Sequence, residues 1–107
     1  MTKFDAKHTA ASFQHIANEA ERYMLEAKSK ISRTLSYRGL HDDHLAKFYV
    51  YNYLAVRCES REHVLDVLTR LLTEPHAAPS SAFDATRFKS AYQGCVRAEI
   101  QRLSACS

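Results

Sequence analysis

Residues 13–35 read FQHIANEAERYMLEAKSKISRTL, and the spacing of apolar residues in this stretch decides the fold class. Apolar side chains recur there in steps of three and four residues, as on one face of an α-helix: Phe13, Ile16, Ala20, Met24, Ala27, Ile31 and Leu35. The pattern predicts a helix over residues 10–37. Thr9 or Ser12 can cap its start, and Gly39 is suited to end it.

The next apolar segment contains the run FYVYNY at residues 48–53. In a helix, its apolar and aromatic residues would cover nearly the whole circumference. We predict a second helix over residues 42–58, capped by Asp42 or Asp43 and buried at the centre of the fold. The alternative is a β-strand, because the run is rich in β-favouring residues. The helix is favoured, since no hairpin partner with turn residues lies nearby.

Two further helices are predicted in the second half of the chain. Ser60 is a suitable N-cap for a helix over residues 60–73, which Pro75 would stop. Asp84 can cap a fourth helix over residues 84–105, whose apolar residues again recur at helical spacing. The proline-containing stretch between these helices is predicted to be a loop.

These four segments indicate an all-α fold. The chain has 107 residues, near the usual size of one domain, and only two glycines and two prolines, too few for the turns of an all-β protein. We therefore expect a single domain over residues 1–107 with four helices around one core. Both a helix bundle and an orthogonal packing are compatible with the short connections.

The composition, with 46% hydrophobic and 25% charged residues, is that of an ordinary globular protein. We find neither an apolar run long enough to span a membrane nor an N-terminal signal pattern. The cysteines are odd in number and lack C-x-x-C spacing, which argues against a disulfide framework and a zinc site. These features lead us to expect a cytoplasmic protein without membrane attachment.

The sequence contains no motif that is typical of an enzyme. Both glycine-rich phosphate-binding patterns are missing, and two glycines could not build either of them. Cys58 and Cys95 fall on apolar stripes, where a cysteine usually acts as a small hydrophobic side chain, and Cys106 is expected to be an exposed tail thiol. We therefore expect no enzymatic activity and no cofactor.

His41 and His44 are weak candidates for a metal site, because two imidazoles three residues apart lie beside Asp42 and Asp43. The alternative is that the two carboxylates cap a helix and interact with its dipole. His-x-x-His alone supplies too few ligands for a metal ion. The capping interpretation is therefore favoured, and no metal site is predicted.

The basic stretch from residue 28 to residue 38 makes nucleic acid a possible partner. Its cations could bind phosphates with little sequence specificity, and they are Lys28, Lys30, Arg33 and Arg38. The alternative is that they complement the dipole at a helix C-terminus. The net charge of +3 is mild, so nucleic acid is the second hypothesis and not the first.

Tyr49, Tyr51 and Tyr53 carry the leading hypothesis, because tyrosines at this spacing cannot all face one core. A tyrosine at a surface is a good anchor for a protein partner. The alternative is that two of the three are core residues whose hydroxyls reach the solvent edge. We predict a protein-binding regulator or inhibitor that occupies a partner's surface. Homo-oligomerisation would serve the same purpose, with copies of the second or fourth helix pairing across a twofold axis. Small helical proteins of this kind are common among phage and plasmid accessory proteins.

Overall fold

A computed structural model describes residues 4–74 and 76–105, and it shows four α-helices packed around one core. The predicted all-α class is therefore confirmed, and the FYVYNY run lies inside a helix. Pro75 and Cys106 lie outside the described residues. The helices are α1 (Ala6–Lys30), α2 (Ser36–Ala55), α3 (Arg61–Thr73) and α4 (Ala85–Ser104).

Helices α1 and α2 run antiparallel and are joined by a short turn. Phe13, in the first half of α1, packs against Tyr51 near the end of α2, with ring centroids 5.7 Å apart. Tyr23, further along α1, packs against His44 in the first half of α2, with ring centroids 5.4 Å apart. The two long helices therefore lie side by side along most of the 45 Å length of the molecule.

Helix α2 also packs against α4, and these two helices run in the same direction. Asp42 contacts Asp84 at the start of α4, whereas Tyr51 contacts Glu99 near the end of α4. Helix α3 packs against α4 in the opposite direction, because Arg61 at its first position donates a hydrogen bond to a carbonyl at the end of α4. Successive helices therefore alternate in direction, and α2 lies between α1 and α4.

All four helices contribute to the core, as expected for a single domain. Fully buried side chains interlock at its centre, and burying each one stabilises the fold by about 1.5–3 kcal/mol. They include Phe13, Val50, Leu54, Val64, Leu68, Phe88, Val96 and Leu103. None of the described helices combines the length and the apolar character that crossing a membrane requires.

The predicted starts of α3 and α4 are confirmed. The Ser60 hydroxyl accepts a hydrogen bond from the backbone N–H of His63 at 3.1 Å. The Asp84 carboxylate accepts hydrogen bonds from the backbone N–H groups of Thr86 at 3.0 Å and Arg87 at 3.2 Å. Both residues therefore satisfy amide groups that the first turn of a helix leaves without a partner.

The predicted limits of α1 are wrong at both ends. Asp5, and neither Thr9 nor Ser12, caps the start, because its side chain accepts a hydrogen bond from the backbone N–H of His8 at 3.0 Å. The helix then ends at Lys30, before a turn over residues 31–35.

Gly39 therefore does not end α1. It lies in the first turns of α2, and no glycine among the described residues has a positive φ angle. A Cβ atom on Gly39 would lie 2.8 Å from Cζ of Arg87, so this glycine allows the close approach of a side chain from α4. A helix C-terminus and a close helix contact both favour glycine, and the sequence alone does not distinguish between them.

The prediction that Asp42 or Asp43 caps α2 is also wrong, since both lie inside the helix. Asp42 is fully buried and accepts hydrogen bonds from the backbone N–H groups of Phe83 at 3.0 Å and Asp84 at 2.6 Å. Asp43 instead forms a two-point ion pair with the guanidinium of Arg87, at 3.0 and 2.8 Å. The two carboxylates therefore fix the start of α4 against the side of α2.

Candidate functional site

A groove with a volume of about 530 Å³ runs along the exposed edge of α2. One wall is formed by α2 and the residues that follow it, and the other by the end of α3, the loop after it and one side chain of α4. The α2 wall comprises Phe48, Tyr49, Asn52, Tyr53, Val56 and Arg57, and the facing wall comprises Leu71, Glu74, His76 and Tyr92.

The α2 wall follows from helical spacing. Positions 48, 49, 52, 53 and 56 are separated by steps of one, three and four residues, so they form one stripe about 12 Å long on the helix surface. Two apolar side chains of the stripe project into solvent: Val56 is 73% exposed and Tyr53 is 38% exposed. This edge of α2 therefore presents apolar surface that the described chain does not cover.

The floor of the groove, where the bases of the two walls are formed by Tyr49 and Tyr92, is held by aromatic contacts. The ring of Tyr49 meets Phe88 edge to face with centroids 5.7 Å apart, and it meets His76 in the same way at 5.2 Å. Tyr92 is almost completely buried beside Phe88, and its burial raises the pKa of the phenol. Since edge-to-face contacts fix ring orientations, the floor is a preformed surface.

The rim of the groove carries opposite charges on its two walls. The guanidinium of Arg57 lies over the ring of Tyr53, with Cζ 3.5 Å from the centroid, and donates a hydrogen bond to the Tyr53 carbonyl at 3.1 Å. Glu74, the C-cap of α3, stands on the facing wall. Within residues 4–74 and 76–105, neither side chain forms an ion pair. Both charges are therefore available to a molecule that binds the groove.

The predicted tyrosines have different environments. Tyr49 and Tyr53 line the groove, whereas Tyr51 points into the core and is 6% exposed. The Tyr51 hydroxyl donates a 2.8 Å hydrogen bond to the buried carboxylate of Glu99, and burial together with this negative charge raises the pKa of the phenol. Tyr51 is therefore a core residue and does not present a surface to a partner.

The predicted basic residues surround the turn between α1 and α2, at one end of the molecule. Lys28 and Arg33 are exposed and form no ion pair within the described part of the chain. Lys30 forms an ion pair with Glu26 at 3.1 Å, and Arg38 lies over the ring of Phe83 at 5.5 Å. The structure thus brings three cations without an ion pair to one end, although they come from two helices and a turn.

His41 and His44 do not point to a common site. His41 is buried, and its Nδ1 atom lies 2.9 Å from a carboxylate oxygen of Asp42. His44 packs against Tyr23, and burial and the charge of Lys47 lower its pKa. Among the described residues, no group of three or more His, Cys, Asp or Glu side chains is placed to hold a metal ion.

Cys58 and Cys95 are half-buried and pack against the core. Burial raises the pKa of both thiols. A raised pKa keeps a thiol protonated near neutral pH, and the thiolate is the reactive form of cysteine. The described geometry therefore activates neither cysteine as a nucleophile.

Comparison of the chain with models of protein families, with curated proteins and with solved structures finds no match. Function is therefore inferred from the described surface alone. Of its features, the groove beside α2 combines exposed apolar side chains, a preformed aromatic floor and available charges.

Proposed function

We propose that this chain is a non-enzymatic protein-binding regulator or inhibitor, which binds its partner through the groove beside α2. The observation that carries the proposal is the exposure of Val56 and Tyr53 next to a preformed concave surface. An exposed apolar stripe that borders a cavity is typical of an interaction site.

The residue types in the groove support a protein as the partner. Aromatic side chains and arginine are enriched at protein interfaces and supply a large part of the binding energy. Here Arg57 is stacked on Tyr53, so both side chains are already ordered before a partner binds. Binding then costs less side-chain entropy than it would for two mobile side chains.

The proposal can be tested by comparing two glutamate variants in a tagged pull-down from native host lysate. Val56→Glu places a charge at the groove, whereas Leu25→Glu does so at a comparably exposed position on α1, outside the groove. We expect one stoichiometric protein that survives nuclease and high salt, binds the Leu25→Glu variant, and binds the Val56→Glu variant at least about tenfold more weakly. Equal binding to both variants would exclude the groove.

A second candidate function, nucleic-acid binding, is favoured by one specific observation. Lys28, Arg33 and Arg38 lie at one end of the molecule, and none of them forms an ion pair within the described residues. Phosphate binding at this end would depend on salt concentration, with a slope that falls by about one for each cation removed.

This candidate is tested by fluorescence anisotropy with labelled duplex and single-stranded DNA at several salt concentrations. Replacing Lys28, Arg33 and Arg38 together by alanine should abolish binding. Replacing Lys7 and Arg97, which are exposed at the start of α1 and in the second half of α4, away from this end of the molecule, should leave it unchanged. Binding that is insensitive to the first set of changes would exclude this end of the molecule as the site.

A further inference from the structure

The surface beside α2 contains both a projection and a hollow. Val56 and Tyr53 project at the end of the α2 wall, and the concave floor formed by Tyr49 and Tyr92 lies next to them. In a twofold contact, both copies use the same surface patch. A projection on one copy can therefore enter a hollow on the other only if the patch contains both a projection and a hollow. This patch meets that requirement.

The charges on the rim meet the same requirement. Arg57 stands on the α2 wall and Glu74 on the facing wall, and neither forms an ion pair within the described part of the chain. A partner that neutralises both must present one anion and one cation at a matching separation. A second copy of this chain, turned through half a rotation, presents Glu74 to Arg57 and Arg57 to Glu74.

We propose that two copies of this chain form a homodimer through the groove, with Val56 of each copy seated in the groove of the other. Arg57 of each copy then pairs with Glu74 of its partner across the twofold axis. The inference rests on the proposed function, because the second copy would occupy the same groove when no target protein is bound. A target protein has to displace the second copy, so dimerisation and target binding exclude each other.

The first test is sedimentation velocity of the wild-type chain and two variants, from low micromolar to near-millimolar concentration. We expect a concentration-dependent dimer for the wild type and for Leu25→Glu, and a dimer dissociation constant at least about tenfold higher for Val56→Glu. Circular dichroism checks that each variant remains helical. A wild-type monomer at every concentration, or an undiminished dimer of Val56→Glu, would overturn the inference.

A charge exchange tests the pairing itself and does not depend on the stability of one variant. Arg57→Glu places two anions opposite each other in a homodimer, and Glu74→Arg places two cations there, so each variant alone should be monomeric. Mixing the two variants should restore a dimer, because both pairs then carry opposite charges. The double variant, with Arg57→Glu and Glu74→Arg in one chain, should also dimerise. Failure of both rescues would overturn the predicted pairing.

The two proposals can fail separately. A chain that stays monomeric but loses its target with Val56→Glu overturns the homodimer and keeps the proposed function. A dimer that is sensitive to Val56→Glu, together with target binding that is not, keeps the homodimer and overturns the proposed use of the groove. Competition itself is seen if adding the captured target converts dimer to a complex that contains one copy of this chain.

Discussion

Tyr51 shows how a single hydroxyl group connects two helices. The hydroxyl oxygen is the only polar atom of the Tyr51 side chain. The hydroxyl donates a hydrogen bond to the carboxylate of Glu99 on α4, a residue that is 4% exposed. Arg102 supplies the balancing charge, with its guanidinium 2.8 Å from the same carboxylate. A buried carboxylate is tolerated only when its charge and its hydrogen bonds are satisfied in this way.

Removing that hydroxyl should therefore destabilise the fold. We expect Tyr51→Phe to lower the free energy of unfolding by about 1.5–3 kcal/mol, because a hydrogen bond to a buried charged group is lost. Urea unfolding followed by circular dichroism measures the change. Tyr53→Phe is the control, since the Tyr53 hydroxyl makes no hydrogen bond within the described residues, and it should leave stability unchanged. Equal effects of the two variants would contradict the assignment.

His44 should contribute to the dependence of stability on pH. Burial lowers its pKa below the usual 6.5, so the unfolded chain takes up a proton at a higher pH than the folded chain does. The contribution of His44 to the free energy of unfolding is therefore fully present above pH 6.5. It is lost as the pH falls from 6.5 through the lower pKa of the folded state. Melting temperatures of the wild type and His44→Gln should converge or cross on acidification. Parallel curves would show that His44 has no such role.

At the level of the helices, the two glycines offer a matched comparison. Gly94 is exposed in the middle of α4, and a Cβ atom added there would meet no other atom within 4 Å, whereas a Cβ on Gly39 would meet the guanidinium of Arg87. Gly94→Ala should raise the free energy of unfolding by about 0.5–1 kcal/mol, because alanine is the better helix former. Gly39→Ala should raise it less, since Arg87 has to move. Thermal unfolding of both variants measures the difference.

The helix starts show what local sequence can predict. Ser60 and Asp84 cap the helices that follow them, as predicted, because an N-cap needs only a side chain and the amides of the next turn. The same reasoning is wrong for Asp42, because the backbone N–H groups that it binds belong to residues more than 40 positions further along the chain. The prediction that Gly39 ends α1 is wrong for a related reason, because the side chain that Gly39 accommodates belongs to α4. Contacts distant in sequence leave no local pattern.

The groove could be predicted only in part. Tyr49 and Tyr53 were predicted to contact a partner because tyrosines at this spacing cannot all face one core. Both line the groove. The helical repeat of α2 could also have indicated Val56, which is one turn beyond Asn52 on the same stripe. Glu74 and Tyr92 could not have been found in this way, because the facing wall exists only after α3 and α4 have packed.

At the scale of the whole molecule, one continuous core should make unfolding cooperative. The short helix α3 contributes Val64 and Leu68 to the same buried cluster as Phe13 of α1 and Val96 of α4. No helix can therefore leave without exposing core residues of the others, and small single domains of this kind unfold in one step. Far-ultraviolet circular dichroism and tyrosine fluorescence should give coincident urea transitions. Two separated transitions would show that one part of the fold unfolds independently of the rest.

The buried carboxylate of Asp42 has a consequence for the exchange of amide hydrogens with solvent. The backbone N–H groups of Phe83 and Asp84 precede α4 and belong to a connecting segment, where amides usually exchange quickly. Here their acceptor is fully buried in α2, so solvent reaches them only when the start of α4 separates from α2. These two amides should exchange about as slowly as helical ones, and their rate then measures how often the two helices part.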